Sequence, residues 1–144
     1  MRKDSRLSRV LHALVHLNAI GTPVTSDDMA KMLNTNPVVV RRTMALLREA
    51  GYVNAAKGHH GGWTLSLPLA NITLLDVHKA LGENTLFTIG LTDEHQSCPI
   101  EQAVNQSLAE VMNAAEQLML QRFGEITLDQ LAIGVPSVKA HATP

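Results

Sequence analysis

The sequence predicts a mainly α fold with one small β-hairpin and a long helix near the C-terminus. Three patterns predict it: helical spacing with turn residues at each break over the first fifty residues, two short alternating segments around a glycine-rich loop, and a heptad-like apolar seam beyond residue 100. Composition agrees. Hydrophobic residues make up 45% of the 144 but aromatics only 3%, so the core must be aliphatic, which favours helices over a β-sandwich.

The first helix is expected over Ser5 to Ala19, where Leu7, Val10, Leu11, Leu14, Val15 and Leu17 approach helical spacing before Gly21 and Pro23. Thr25 or Ser26 caps the second, with Asp27 and Asp28 in the first turn meeting the positive end of its dipole. Met29, Ala30 and Leu33 form its inner face. A third helix opens at Asn36-Pro37, a capping residue followed by a proline whose missing N–H does no harm there, and it stops at Gly51. Val40, Met44 and Leu47 form its apolar stripe, while Val38, Arg41, Arg42 and Ala45 lie on another face.

Tyr52–Ala55 and Trp63–Leu67 alternate and are joined by Lys57-Gly58-His59-His60-Gly61-Gly62, which reads as a β-hairpin. That order, three helices and a hairpin, is the order of a winged helix-turn-helix domain. Thr73 then caps a short helix, Leu74–Leu81, closed by Gly82. Residues 83–97 lack periodicity and read as a loop. From Pro99, Ile100 to Phe123 form the long helix, in which Val104, Leu108, Val111, Ala115 and Leu118 step by four and three. A short helix is expected at Leu128–Ala132, and the end of the chain looks frayed.

Charge divides the chain. Residues 1–67 carry nine Lys/Arg against four Asp/Glu, whereas residues 68–144 carry three against nine. Only the first half is therefore expected to meet a polyanion. Cys98 is the single cysteine, so no internal disulfide forms. The apolar stretch Val10–Ile20 is interrupted by His12, His16 and Asn18, too short and polar for a secretory signal or membrane span. A cytoplasmic location without membrane contact is the expectation.

Double-stranded DNA is the polyanion that the helix-turn-helix pair fits. Val38, Arg41 and Arg42 occupy the exposed N-terminal turns of the third helix, the part that enters a major groove. An arginine can donate twice to guanine, and a valine can touch a thymine methyl. Asn36 stands at a helix N-terminus suited to a phosphate, and Ser26, opening the preceding helix, joins the candidate contacts. Lys57, His59 and His60 arm the wing, whose tip either enters the minor groove or lies along phosphates. Trp63 is read as packing at the hairpin base. Cys98 precedes the long helix, where a helix N-terminus stabilises a thiolate; it is a candidate redox or effector sensor, or simply a small packed residue. No catalytic residues and no metal ligands are assigned, since phosphate loop, Cys/His cluster and HExxH are all missing from the sequence, and an enzyme is not expected. The alternative function is a protein-interaction module whose basic face docks an acidic partner.

Four segments carry a family resemblance: Asn34–Arg42, Leu47–Val53, Lys57–Leu65 and Ile72–Val77. The wing pattern basic–Gly–x–x–Gly–Gly–aromatic–x–Leu, followed by Ile-Thr-Leu, is its specific part. About residues 5–125 resemble the IscR/NsrR/CymR (Rrf2-type) family of bacterial winged helix-turn-helix transcription regulators. The resemblance implies a homodimer locked by the long helix, with paired recognition helices on a palindromic operator, most simply as a repressor. It implies a DNA-binding domain over 1–82, a sensor loop over 83–98, a dimerisation helix with its C-terminal return over 99–134, and a flexible tail over 135–144. A small-molecule or redox effector would act near Cys98. Family members that hold an iron–sulfur cluster use three cysteines. Here Cys98 matches the first, Val104 falls at the second and no third exists, so the chain resembles a member without cofactor. Lys57 replaces the usual arginine of the wing, keeping the charge but losing the planar fork.

Overall fold

The structure is a computed structural model that describes residues 5–82, 86, 90–94 and 96–133. Its elements are α1 (Arg6–Ile20), α2 (Ser26–Met32), α3 (Pro37–Glu49), β1 (Val53–Ala56), β2 (Gly62–Leu65), a 3-10 turn at Leu69–Asn71, α4 (Leu74–Ala80), α5 (Pro99–Glu125) and α6 (Leu128–Leu131). Of the expected loop, residues 83–85, 87–89 and 95 lie outside the described residues, as does the tail expected over 135–144.

Local chemistry accounts for most boundaries. Gly21 ends α1 in the left-handed conformation, its N–H donating to the Leu17 carbonyl. Of the two candidate caps of α2, the structure selects Thr25, whose Oγ1 accepts from the Asp28 N–H; Ser26 is the first helical residue. The Asn36 side chain accepts from the Val39 N–H and Pro37 follows at the first turn. Thr73 and Asp76 form a reciprocal capping box on α4.

The hairpin departs from its expected limits by a residue or two. Pairing runs from Val53↔Leu65 to Ala56↔Gly62, so Tyr52, Ser66 and Leu67 fall outside the strands. Tyr52 still closes the ladder, its carbonyl accepting from the Ser66 N–H at 3.0 Å. Burial pushes the Tyr52 phenol above its ordinary pKa, and the Asp76 carboxylate adds to the effect. The sheet also gains a partner that periodicity does not reveal. Val24, between α1 and α2, exchanges two backbone hydrogen bonds with Trp63, at 3.1 and 2.8 Å.

One aliphatic core holds these elements together. Val10, Ala13, Leu14 and Leu17 of α1 meet Met29 and Ala30 of α2, Val40, Met44 and Leu47 of α3, and Val53 and Trp63 of the hairpin. Leu69, Ile72, Leu74, Val77 and Leu81 close it from the α4 side. The last stone comes from the far end of the chain. Leu128 is fully buried, its N–H donates to the Ile72 carbonyl at 2.8 Å, and the Leu74 N–H donates to the Ile126 carbonyl at 3.0 Å. The C-terminal return, grouped in the sequence with the long helix over 99–134, thus packs into the head over 1–82.

By contrast α5 buries no residue. Near its C-terminal end Phe123 meets buried His78 edge to face, ring centroids 6.0 Å apart. Val104, Leu108, Val111 and Leu118 of the heptad-like seam are between 42% and 68% exposed. Among the described residues no helix is long and apolar enough to cross a membrane.

Candidate nucleic-acid interface

The third helix turns its stripe of Val40, Met44 and Leu47 into the core, which leaves the opposite face to solvent. Val38 is 54% exposed at its first turn, and Arg41, Arg42 and Arg48 are all exposed. Beside this face stands the wing. Between them lies an open cleft of about 530 Å³ lined by Thr25, Ser26 and Asp27 of the α2 end, Arg41, Ala45 and Arg48 of α3, and Ala55 to Gly58 with Gly61 to Trp63 of the hairpin.

The cleft gathers three cations, Arg41, Arg48 and Lys57, against one carboxylate, Asp27. The sequence pointed to Arg41 and Lys57 but missed Arg48. The signal was available: Arg41, Ala45 and Arg48 step by four and three, so they share one helix face. What the sequence could not show is that the hairpin folds back over that face.

The other expected residues are placed as follows. Val38 and Arg42 lie outside the cleft lining, exposed on α3. The Asn36 side-chain oxygen is committed to capping α3. Ser26 Oγ accepts a hydrogen bond from the Trp63 indole at 3.0 Å, which ties the base of the wing to the start of α2. Trp63 is buried, as expected of a residue packing at the hairpin base. His59 and His60 are exposed at the wing tip, their ring centroids 3.9 Å apart. His60 adopts a left-handed backbone, with φ of 65°. Cys98 is half-buried at the N-cap of α5, without a side-chain capping bond.

The wing glycines have an internal reason to be glycine. A Cβ on Gly62 would stand 2.6 Å from the Val24 carbonyl oxygen, and its φ of +145° is itself unfavourable for other residues. A Cβ on Gly61 would overlap the Ala56 carbonyl. The close approach they permit is therefore to the protein's own backbone.

Residues 4–133 match the family described as "Rrf2: Iron-dependent Transcriptional regulator". The chain belongs to the Rrf2 family. Its relative YwnA of Bacillus subtilis, named as a helix-turn-helix-type transcriptional regulator, is 31% identical over 117 residues, covering 81% of this chain and 86% of YwnA. The crystal structure of a transcriptional regulator from Lactobacillus plantarum superposes with a TM-score of 0.75 at 23% identity, over 91% of each chain. CymR, the global cysteine regulator of B. subtilis, gives a TM-score of 0.62 at 21% identity, over 92% of this chain and 96% of CymR. These two structures share the Rrf2 winged-helix fold with the present chain.

Proposed function

We propose that this Rrf2 chain is a sequence-specific DNA-binding repressor that acts as a homodimer on a palindromic operator. The observation that carries the reading is the cleft between α3 and the wing, where Arg41, Arg48 and Lys57 converge beside the exposed Val38 and Arg42. Duplex DNA presents about one negative charge per 1.7 Å of helix axis, so a line of cations along a groove-sized helix meets it strongly. Val38, Arg41 and Arg42 read base edges in the major groove, while Arg48, Lys57 and the wing-tip His59 and His60 hold the flanking backbone or minor groove. The exposed apolar seam on α5 supports the dimer, because a heptad-spaced stripe is stable in water only when a second helix covers it. A cytoplasmic location accompanies this reading.

The family description names iron, so the donor set has to be weighed. The sequence offers one thiol, Cys98, half-buried at the α5 N-cap, and Val104 stands exposed on the same helix where a second cysteine would be needed. One thiolate does not meet the needs of an iron–sulfur cluster. The residues do not fit the group, and the proposed regulator works without it.

The test is fluorescence anisotropy on a duplex obtained by in vitro selection, at several salt concentrations. The logarithm of affinity should fall linearly with the logarithm of salt, by about 0.9 per phosphate neutralised. Arg41→Ala should cost about 1–3 kcal/mol and relax preference at one base pair. Arg48→Ala should weaken all duplexes alike and reduce the salt slope by about 1. A protein that enriches no sequence and binds no duplex at low salt would instead be an interaction module for an acidic partner.

A further inference from the structure

Helix α1 lies apart from the cleft between α3 and the wing, none of whose lining residues it supplies. Its inner face, with Val10, Ala13, Leu14 and Leu17, is buried in the core. On its outer side His12 is exposed and His16 half-buried, one turn apart, and their Nε2 atoms are 2.9 Å from one another. The ring centroids lie 4.6 Å apart at an interplanar angle of 49°. Two imidazole nitrogens thus lie one hydrogen bond apart beside the helix.

From this geometry we propose that His12 and His16 chelate a divalent transition-metal ion of the copper or nickel type. Imidazole nitrogens bind such ions at about 2.0–2.1 Å. At that length, a nitrogen separation of 2.9 Å subtends an angle of about 90° at the metal, the angle between neighbouring ligands in a tetragonal or octahedral site. Without metal, one ring donates its Nε2–H and the other accepts. Binding requires that the donor ring move this proton to Nδ1, after which both Nε2 lone pairs face the ion and no proton is released. Among the described residues no group of three or more His, Cys, Asp or Glu side chains could hold a metal. Among the described residues the site is therefore a two-histidine chelate. It staples one turn of α1 and stabilises the folded chain by mass action.

The experiment is a titration of the tag-free full chain with nickel chloride, followed by calorimetry and by thermal unfolding. Copper chloride is used on a Cys98→Ser background so that no thiol competes. The expected result is one site, with affinity in the order copper, nickel, zinc, and a melting temperature that rises with metal and returns on adding chelator. His12→Asn should weaken binding at least tenfold and abolish the thermal shift, whereas a His59→Asn/His60→Asn double variant should retain both. The unliganded melting curve of His12→Asn, at an exposed position, reports whether its fold is intact. Retention of tight binding by His12→Asn, or its loss in the wing double variant, would overturn the assignment. Neither outcome bears on DNA binding, which the anisotropy experiment reads separately.

Discussion

Two helices carry the same apolar spacing and meet opposite fates. Val40, Met44 and Leu47 on α3 step by four and three, and so do Val104, Leu108 and Val111 on α5. The first trio is 2%, 1% and 0% exposed, whereas the second is 51%, 42% and 68% exposed. Periodicity decides which residues share a face, but not what covers that face. In the head, α1, α2 and the hairpin converge on α3. On α5, Phe123 meets His78 of α4 near one end and Glu101 and Asn105 bond to Thr92 near the other, while the seam between stays exposed.

The contrast can be broken most directly at its centre. Leu47→Ala, at a fully buried position, should destabilise the fold by about 2–5 kcal/mol, read as a shift in the denaturant midpoint. A result near zero would mean that the head repacks and that the two stripes differ less than their exposures say. The seam responds differently. Leu108→Glu together with Val111→Glu should leave the head's unfolding intact, yet convert a dimer to a monomer in sedimentation experiments. Operator affinity should fall at least tenfold, about 1.4 kcal/mol. Unaltered self-association would remove α5 as the dimer face. The smallest effect is local. Thr73→Ala removes half of the capping box that starts α4, and should cost about 1 kcal/mol by chemical denaturation. No measurable loss would show that the Thr73↔Thr127 bridge, rather than the cap, fixes this end of the head.

Much of the head was legible because its punctuation is local. Asn36-Pro37 opens α3, Gly21 ends α1, and Thr73 starts α4 through hydrogen bonds spanning three or four residues. Candidate contacts on α3 were legible for the same reason, since a helix face is set by spacing alone. Arg48 escaped because its relevance comes from the wing folding beside it, a non-local event. Ser26 offers a second case. Its place at the head of α2 shows in the spacing, but not that its hydroxyl accepts from the Trp63 indole, thirty-seven positions away.

What the sequence determined by itself is the order of helices and hairpin, their caps, and the concentration of positive charge in the first half. These rest on backbone hydrogen bonding and side-chain period, both settled within a few residues. Only the tertiary structure decided that Val24 would pair with Trp63, that Leu128 would return to close the core, and that Arg41, Arg48 and Lys57 would share a cleft. Such choices depend on which apolar faces bury together, and that is a property of the whole chain, which no local window contains.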